Sequence, residues 1–180
     1  MERNIVVRRE KEKIKHYGLE LILMLTAVVF CLLACSLSVG GGVKKDFTTG
    51  LTTTYKNMQT EETLLVMNDE VIHHTDIPLG ESMLLVNKGV SGLVEKEGKV
   101  STGCSLEITD SAGNILMQEP DLFAGNDIFD AKNATVLKCT INTGAPMKWD
   151  ETYTAKVVFW DKYGKGNIRN EVKINMIDIP

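Results

Sequence analysis

Four cysteines, two adjacent histidines and an acid-rich loop are where this chain holds reactive or ligating side chains. Cys104 is followed by Leu106 and Ile108, and Cys139 is flanked by Leu137 and Ile141, so on strand spacing both thiols face the core side. Two outcomes stay open: a Cys104–Cys139 disulfide, which an oxidising compartment allows, or two buried free thiols. A bridge also requires Cα atoms within about 7 Å of each other. With no CxxC pair, a structural zinc site is not expected. His73, His74 and Asp76 do not converge either, because neighbours on a strand point to opposite faces, so they read as surface residues. Asp121, Asp127 and Asp130, with Asn126, offer oxygens that calcium accepts. The EF-hand spacing is missing, however, and Asp and Asn are also the usual turn formers.

Catalytic patterns are lacking. There is no GxSxG, and Glu61-Glu62 and Asp69-Glu70 are sequence neighbours whose carboxylates diverge on strands. Gly40 to Gly42 does not sit between a strand and a helix, as a phosphate-binding loop does. The expectation is a protein with no catalytic residues, no metal and no cofactor.

Of the other two cysteines, Cys31 lies inside an apolar run and Cys35 has a different setting. A charged leader with six Lys and Arg against four Asp and Glu precedes Leu21 to Leu33, thirteen residues with no charge, after which small residues follow. This is the plan of a secretory signal peptide. Leu32, Leu33, Ala34 and Cys35 resemble the lipobox of bacterial lipoproteins, in which the peptidase cuts before a cysteine that carries diacylglycerol. The resemblance implies that Cys35 becomes the lipidated first residue, with 1–34 removed and the rest held to the cell envelope by its lipid. Each buried acyl CH2 contributes about 0.8 kcal/mol, so the chains on one cysteine suffice to hold a small domain. Two plainer readings compete. Leu21 to Val39 is nineteen uncharged residues, near the span of a bilayer, which suits an uncleaved anchor. Cys35 is then an ordinary apolar residue of that helix. Basic residues before the apolar run favour an N-inside orientation, so the remainder lies outside the cytoplasm either way.

Beyond Ala34 there are 146 residues, enough for one domain, with 14 Lys and Arg against 20 Asp and Glu. A net charge of −6 does not favour nucleic acid or anionic lipid, which need clustered positive charge. The stretch 35–50 is small, polar and glycine-rich and reads as a flexible tether, leaving 51–180 as the domain. Ser36 after the cysteine, rather than Asp, resembles an outer-membrane-directed lipoprotein.

No long segment of that domain repeats at 3.6 residues, whereas short runs of Val, Ile, Leu, Thr and Tyr recur between turn signals. Strands are expected over Leu51 to Asn57, Thr63 to Asn68, Val71 to His74, Ser82 to Lys88 and Gly92 to Glu95. Others are expected over Lys99 to Thr109, Ile115 to Gln118, Ala134 to Asn142, Thr152 to Trp160 and Ile168 to Ile177. Compact turns such as Asp110-Ser111-Ala112-Gly113-Asn114 between them favour antiparallel pairing, hence an all-β sandwich or barrel. Two longer loops, 119–133 and 143–151, are the places to look for recognition, and Phe123, Phe129 and Trp149 are the candidate partner-binding residues on them. Together they predict an exposed apolar or aromatic patch.

Near the C-terminus, Tyr153, Val157, Asp161 and Gly164 form the pattern Tyr-x-x-x-Val-x-x-x-Asp-x-x-Gly after a Trp149-Asp150-Glu151 turn. It resembles the last two strands of immunoglobulin-like and fibronectin-type-III-like sandwiches. The resemblance implies that the Tyr153 hydroxyl bonds back across the corner, and implies no ligand. Asp110-Ser111-Ala112 resembles the acceptor for glycosylation in some exported bacterial proteins, with Ser111 carrying the glycan; an ordinary turn residue is the plainer reading. Asn133-Ala134-Thr135 fits N-glycosylation, which matters only in a eukaryotic secretory setting. The function expected is a non-enzymatic binding or accessory module of the cell envelope with a protein or glycan partner. A structural component without a ligand and an enzyme on a β scaffold are the rivals.

Overall fold

The computed structural model describes residues 40–178, so the leader 1–34 and Cys35 lie outside the described residues. Apolar residues alternating along β11 (Thr152–Asp161) and β12 (Asn167–Ile177) put Tyr153, Ala155, Val157 and Phe159, then Ile168, Val172 and Ile174, on one buried face. That hairpin is the middle of an eight-stranded sheet. Its main order is β1 (Gly41–Lys45), β2 (Thr52–Lys56), β12, β11, β7 (Lys99–Thr109) and β8 (Ile115–Glu119). Short β5 (Asp76–Pro78) pairs parallel with the end of β12, and β9 (Ile128–Asp130) pairs with the start of β7. A second sheet runs in the order β10 (Val136–Asn142), β6 (Ser82–Lys88), β3 (Glu62–Met67), β4 (Glu70–Ile72). Every other ladder is antiparallel. The inner faces of the two sheets share one core, in which Leu65, Leu85 and Ile141 lie with Ile108, Val157 and Phe159. The described residues form an all-β sandwich, as the strand pattern predicts.

The corner before β11 is closed as the resemblance implies. Tyr153 is buried, its hydroxyl accepts from the Lys148 backbone N–H (2.9 Å) and donates to Glu151 Oε2 (3.0 Å). Burial, followed by the Glu151 carboxylate that accepts its proton, pushes the Tyr153 phenol above its ordinary range, while the Lys148 N–H pulls the other way. Tyr153→Phe is expected to destabilise the fold by about 1–2 kcal/mol, because Lys148 N–H loses its acceptor; chemical denaturation measures it.

Two expectations need correction, and a third feature is more buried than the sequence suggests. The glycine-rich stretch is not all tether, since from Gly41 it forms β1, paired residue by residue with β2. Gly42 is there because the Tyr55 ring lies where a Cβ would be. Asp46 then closes the hairpin by accepting from Thr48 N–H (2.8 Å) and Thr49 Oγ1 (2.7 Å), which, the Thr48 amide foremost, hold its carboxyl below the usual range. Second, Gly92 to Glu95 is no strand. Its backbone is held by a side chain instead, with Val94 N–H donating to Asp161 Oδ2 (2.8 Å). Third, Phe123 and Phe129 face inward: Phe123 packs 6.1 Å from the Phe159 ring centroid and edge-on to Phe129 at 5.9 Å. Both are half-buried, Phe123 packed on the shared core and Phe129, on β9, packed on Phe123.

Candidate binding face

Because residues paired across a sheet lie on the same face, the registers assemble the solvent side of the eight-stranded sheet row by row. One row is Lys45, Thr52, Glu171, Lys156, Glu107 and Gln118, crossing from β1 to β8. The next is Val43, Thr54, Arg169, Val158 and Ser105, and the third is Gly41, Lys56, Asn167, Trp160 and Gly103. The Trp160 indole occupies the space that a side chain at position 103 would fill, so Gly103 is the seat of that ring. Lys156 Nζ reaches Glu107 Oε1 at 3.3 Å, and Gln118 Nε2 donates to Glu107 Oε2 at 3.5 Å.

Two open depressions lie on this face. One, of about 380 Å³, is lined by Ser105, Glu107, Gln118, Lys156, Arg169 and Glu171 among others; the other, of about 430 Å³, by Lys45, Thr52, Thr152, Lys173 and Asn175 among others. Glu171 borders both. The lining offers hydroxyl, amide, ammonium, guanidinium and carboxylate groups with charges of both signs, and Trp160 lies one row beyond the first depression. Such a surface can hydrogen-bond a polar partner without demanding that it carry net charge.

The 119–133 loop is anchored beside this face by an ion triad. Lys162 Nζ lies 2.7 Å from Asp121 Oδ2 and 2.8 Å from Asp127 Oδ2. Asp121 Oδ1 also accepts from the backbone N–H of Cys104 and of Phe123, both at 3.1 Å, and Asp127 Oδ2 accepts from Ser101 Oγ at 3.0 Å. Partial burial raises the Asp121 pKa, but the hydrogen bonds from Lys162, Cys104 and Phe123 outweigh it and leave the carboxyl below its ordinary value. Lys162, then Ser101, lowers Asp127, and the two carboxylates in return raise Lys162. The cation among these acids is therefore a lysine. Among the described residues no group of three or more His, Cys, Asp or Glu is placed to hold a metal ion.

The pH dependence follows from those directions. Stabilisation from depressed carboxyls is complete above the unfolded Asp value near 3.8 and is lost as pH falls through the lower folded values. Stabilisation from the raised lysine is complete below 10.5 and is lost only above it. Amide exchange in 119–133, compared with the rest of the sandwich, is expected to stay slow from neutral pH down to about 4 and to quicken below it. Lys162→Met is expected to quicken it at neutral pH.

The remaining sequence candidates are scattered. Trp149 is 59% exposed on the loop before β11, and Ser111 is exposed on the β7–β8 turn. That turn is ordered by Asp110, which accepts from Asn114 Nδ2 (2.8 Å) and from the Asn114 and Ala112 N–H groups; Asn114 foremost holds the Asp110 carboxyl below its usual range. His73 and His74 are exposed. Cys104 and Cys139 are buried free thiols. Sequence reasoning passed over Arg169, Lys156, Glu171 and Trp160, whose only signal is that they occupy alternate positions facing away from the apolar set. Comparison with known protein families and with characterised proteins finds no match to this chain.

Proposed function

We propose that the protein is an exported lipoprotein, held to a membrane of the cell envelope by lipid on Cys35, that presents its β-sandwich as a non-enzymatic binding module. The observation that carries the binding role is the outer face of the eight-stranded sheet. There Arg169, Lys156, Glu107 and Gln118 offer donors and acceptors around one of the depressions, a row away from Trp160. Regular sheet positions hold these groups at fixed spacing, which lowers the entropy cost of binding relative to loop residues. Mixed polar groups next to an aromatic ring suit an envelope glycan, whose hydroxyls need both donors and acceptors and whose ring faces stack on indole. The lipobox of Leu32 to Cys35 supports the address.

The test is recovery of the tagged, membrane-attached protein from its own cells, with identification of bound glycan and protein. Wild type is expected to retain a glycan that Arg169→Ala and Lys156→Ala release. Retention unchanged by both substitutions removes the sheet face as the site, and recovery of a protein alone replaces glycan by protein as the partner.

A further inference from the structure

Cys104 and Cys139 come from different sheets and face the same core. Cys104 sits in the inner row that runs Tyr55, Ile168, Phe159, Cys104 across β2, β12, β11 and β7. Cys139 sits in the facing row Cys139, Leu85, Leu65, Ile72 across β10, β6, β3 and β4. Both belong to the shared core, with 0% and 2% of their surfaces exposed, and β7 approaches β10 across it. From this facing geometry we infer that Cys104 and Cys139, free thiols in this structure, oxidise to an inter-sheet disulfide, a covalent tie between the two layers of the sandwich.

The thiols are already in mutual reach. Both side chains point into the same core between the sheets, and the Cys139 thiol lies 3.7 Å from Thr140 O. Hydrogen bonding from Cys104, which stabilises a Cys139 thiolate, pulls the Cys139 pKa down against the effect of burial. For Cys104 the same contact, then burial and the nearby charges of Cys139 and Asp121, pushes the pKa up. Cys139, on the edge strand β10, is the attacking thiol because it is the one that reaches an external disulfide first. β10 is the edge of its sheet, paired only with β6, whereas β7 is flanked by β11 on one side and by β8 and β9 on the other. Fraying or late docking of β10 exposes Cys139 first.

The oxidant is an exchangeable disulfide. The Cys139 thiolate attacks one sulfur of that disulfide and expels the other as a thiol, leaving a mixed disulfide on Cys139. The Cys104 thiolate then attacks Cys139 Sγ and expels the second thiol. Two protein thiols lose two protons and two electrons, and the incoming disulfide is reduced to two thiols. The closed loop is about 35 residues long, a length at which cross-linking constrains the unfolded chain substantially.

The experiment uses the full-length chain in detergent, unfolded in urea and refolded by dilution with glutathione disulfide, then alkylated and digested without reductant. Mass spectrometry is expected to find the Cys104 and Cys139 peptides joined, and the refolded protein is expected to melt about 10 °C higher before reduction than after it. Both cysteines alkylated, each carrying glutathione, or either one linked to Cys31 or Cys35 overturns the inference, as does a melting temperature that reductant leaves unchanged. The refolding is done in vitro, so its outcome does not depend on where the cell places the protein.

Discussion

Phe159→Ala is expected to destabilise the sandwich by about 3–5 kcal/mol, the usual cost of emptying a fully buried aromatic site. Phe159 is 0% exposed on central β11, and the Phe123 ring that covers it is tied by packing to Phe129. Losing the ring therefore does two things. It leaves a cavity in the shared core, and it takes away the apolar floor under the 119–133 loop. Denaturant unfolding measures the first. Amide exchange at Phe123 and Phe129 measures the second and is expected to quicken more than exchange in β6, which lies in the other sheet. If Phe123 and Phe129 instead served an external partner, exchange in the loop would not respond to Phe159.

Asp161→Ala is the second substitution with a large expected effect, about 3 kcal/mol. The side chain is 4% exposed and has two backbone donors: Val94 N–H on Oδ2 at 2.8 Å and Tyr163 N–H on Oδ1 at 2.9 Å. Alanine leaves both without an acceptor, and a hydrogen bond to an ionised group is worth more than a neutral one. Asp161→Asn keeps one carbonyl-type acceptor and is expected to cost roughly half as much. The segment 92–95 and the β11–β12 turn are expected to loosen together, because one carboxylate holds both. Urea unfolding of the two variants, with exchange at Val94 and Tyr163, tests this; loosening of the turn alone would show that Val94 is held by something else.

These residues also show how far the sequence could be read. Long alternating runs were legible because each strand buries one face. β6 and β7 start and stop where the pattern does, and β11 and β12 differ from it by a residue. Local pattern fails where tertiary contacts decide. Gly42 looks like part of a linker until the Tyr55 ring is placed over it. β5 is three residues ending in Pro78, and it pairs with residues about a hundred positions away. Gly92 to Glu95 has the composition of a strand but spends its amide on Asp161. Phe123 and Phe129 read as surface residues because loops usually lie there, whereas the β9–β7 pairing, the packing of Phe123 on Phe159 and the ion triad of Lys162 with Asp121 and Asp127 bind this loop down. The outer face is the least legible feature of all. Glu171, Lys156 and Glu107 become neighbours only through the registers of three strands, and no spacing within one strand reveals them.

The address carries the proposed role, so the decisive observation concerns Cys35. Intact-mass and peptide analysis of the protein taken from the membranes of its own cells is expected to find a chain beginning at Cys35, its sulfur bearing a diacylglyceryl group and 1–34 gone. A chain found in the cytosol with its leader in place and Cys35 unmodified would contradict both the anchorage and the envelope role.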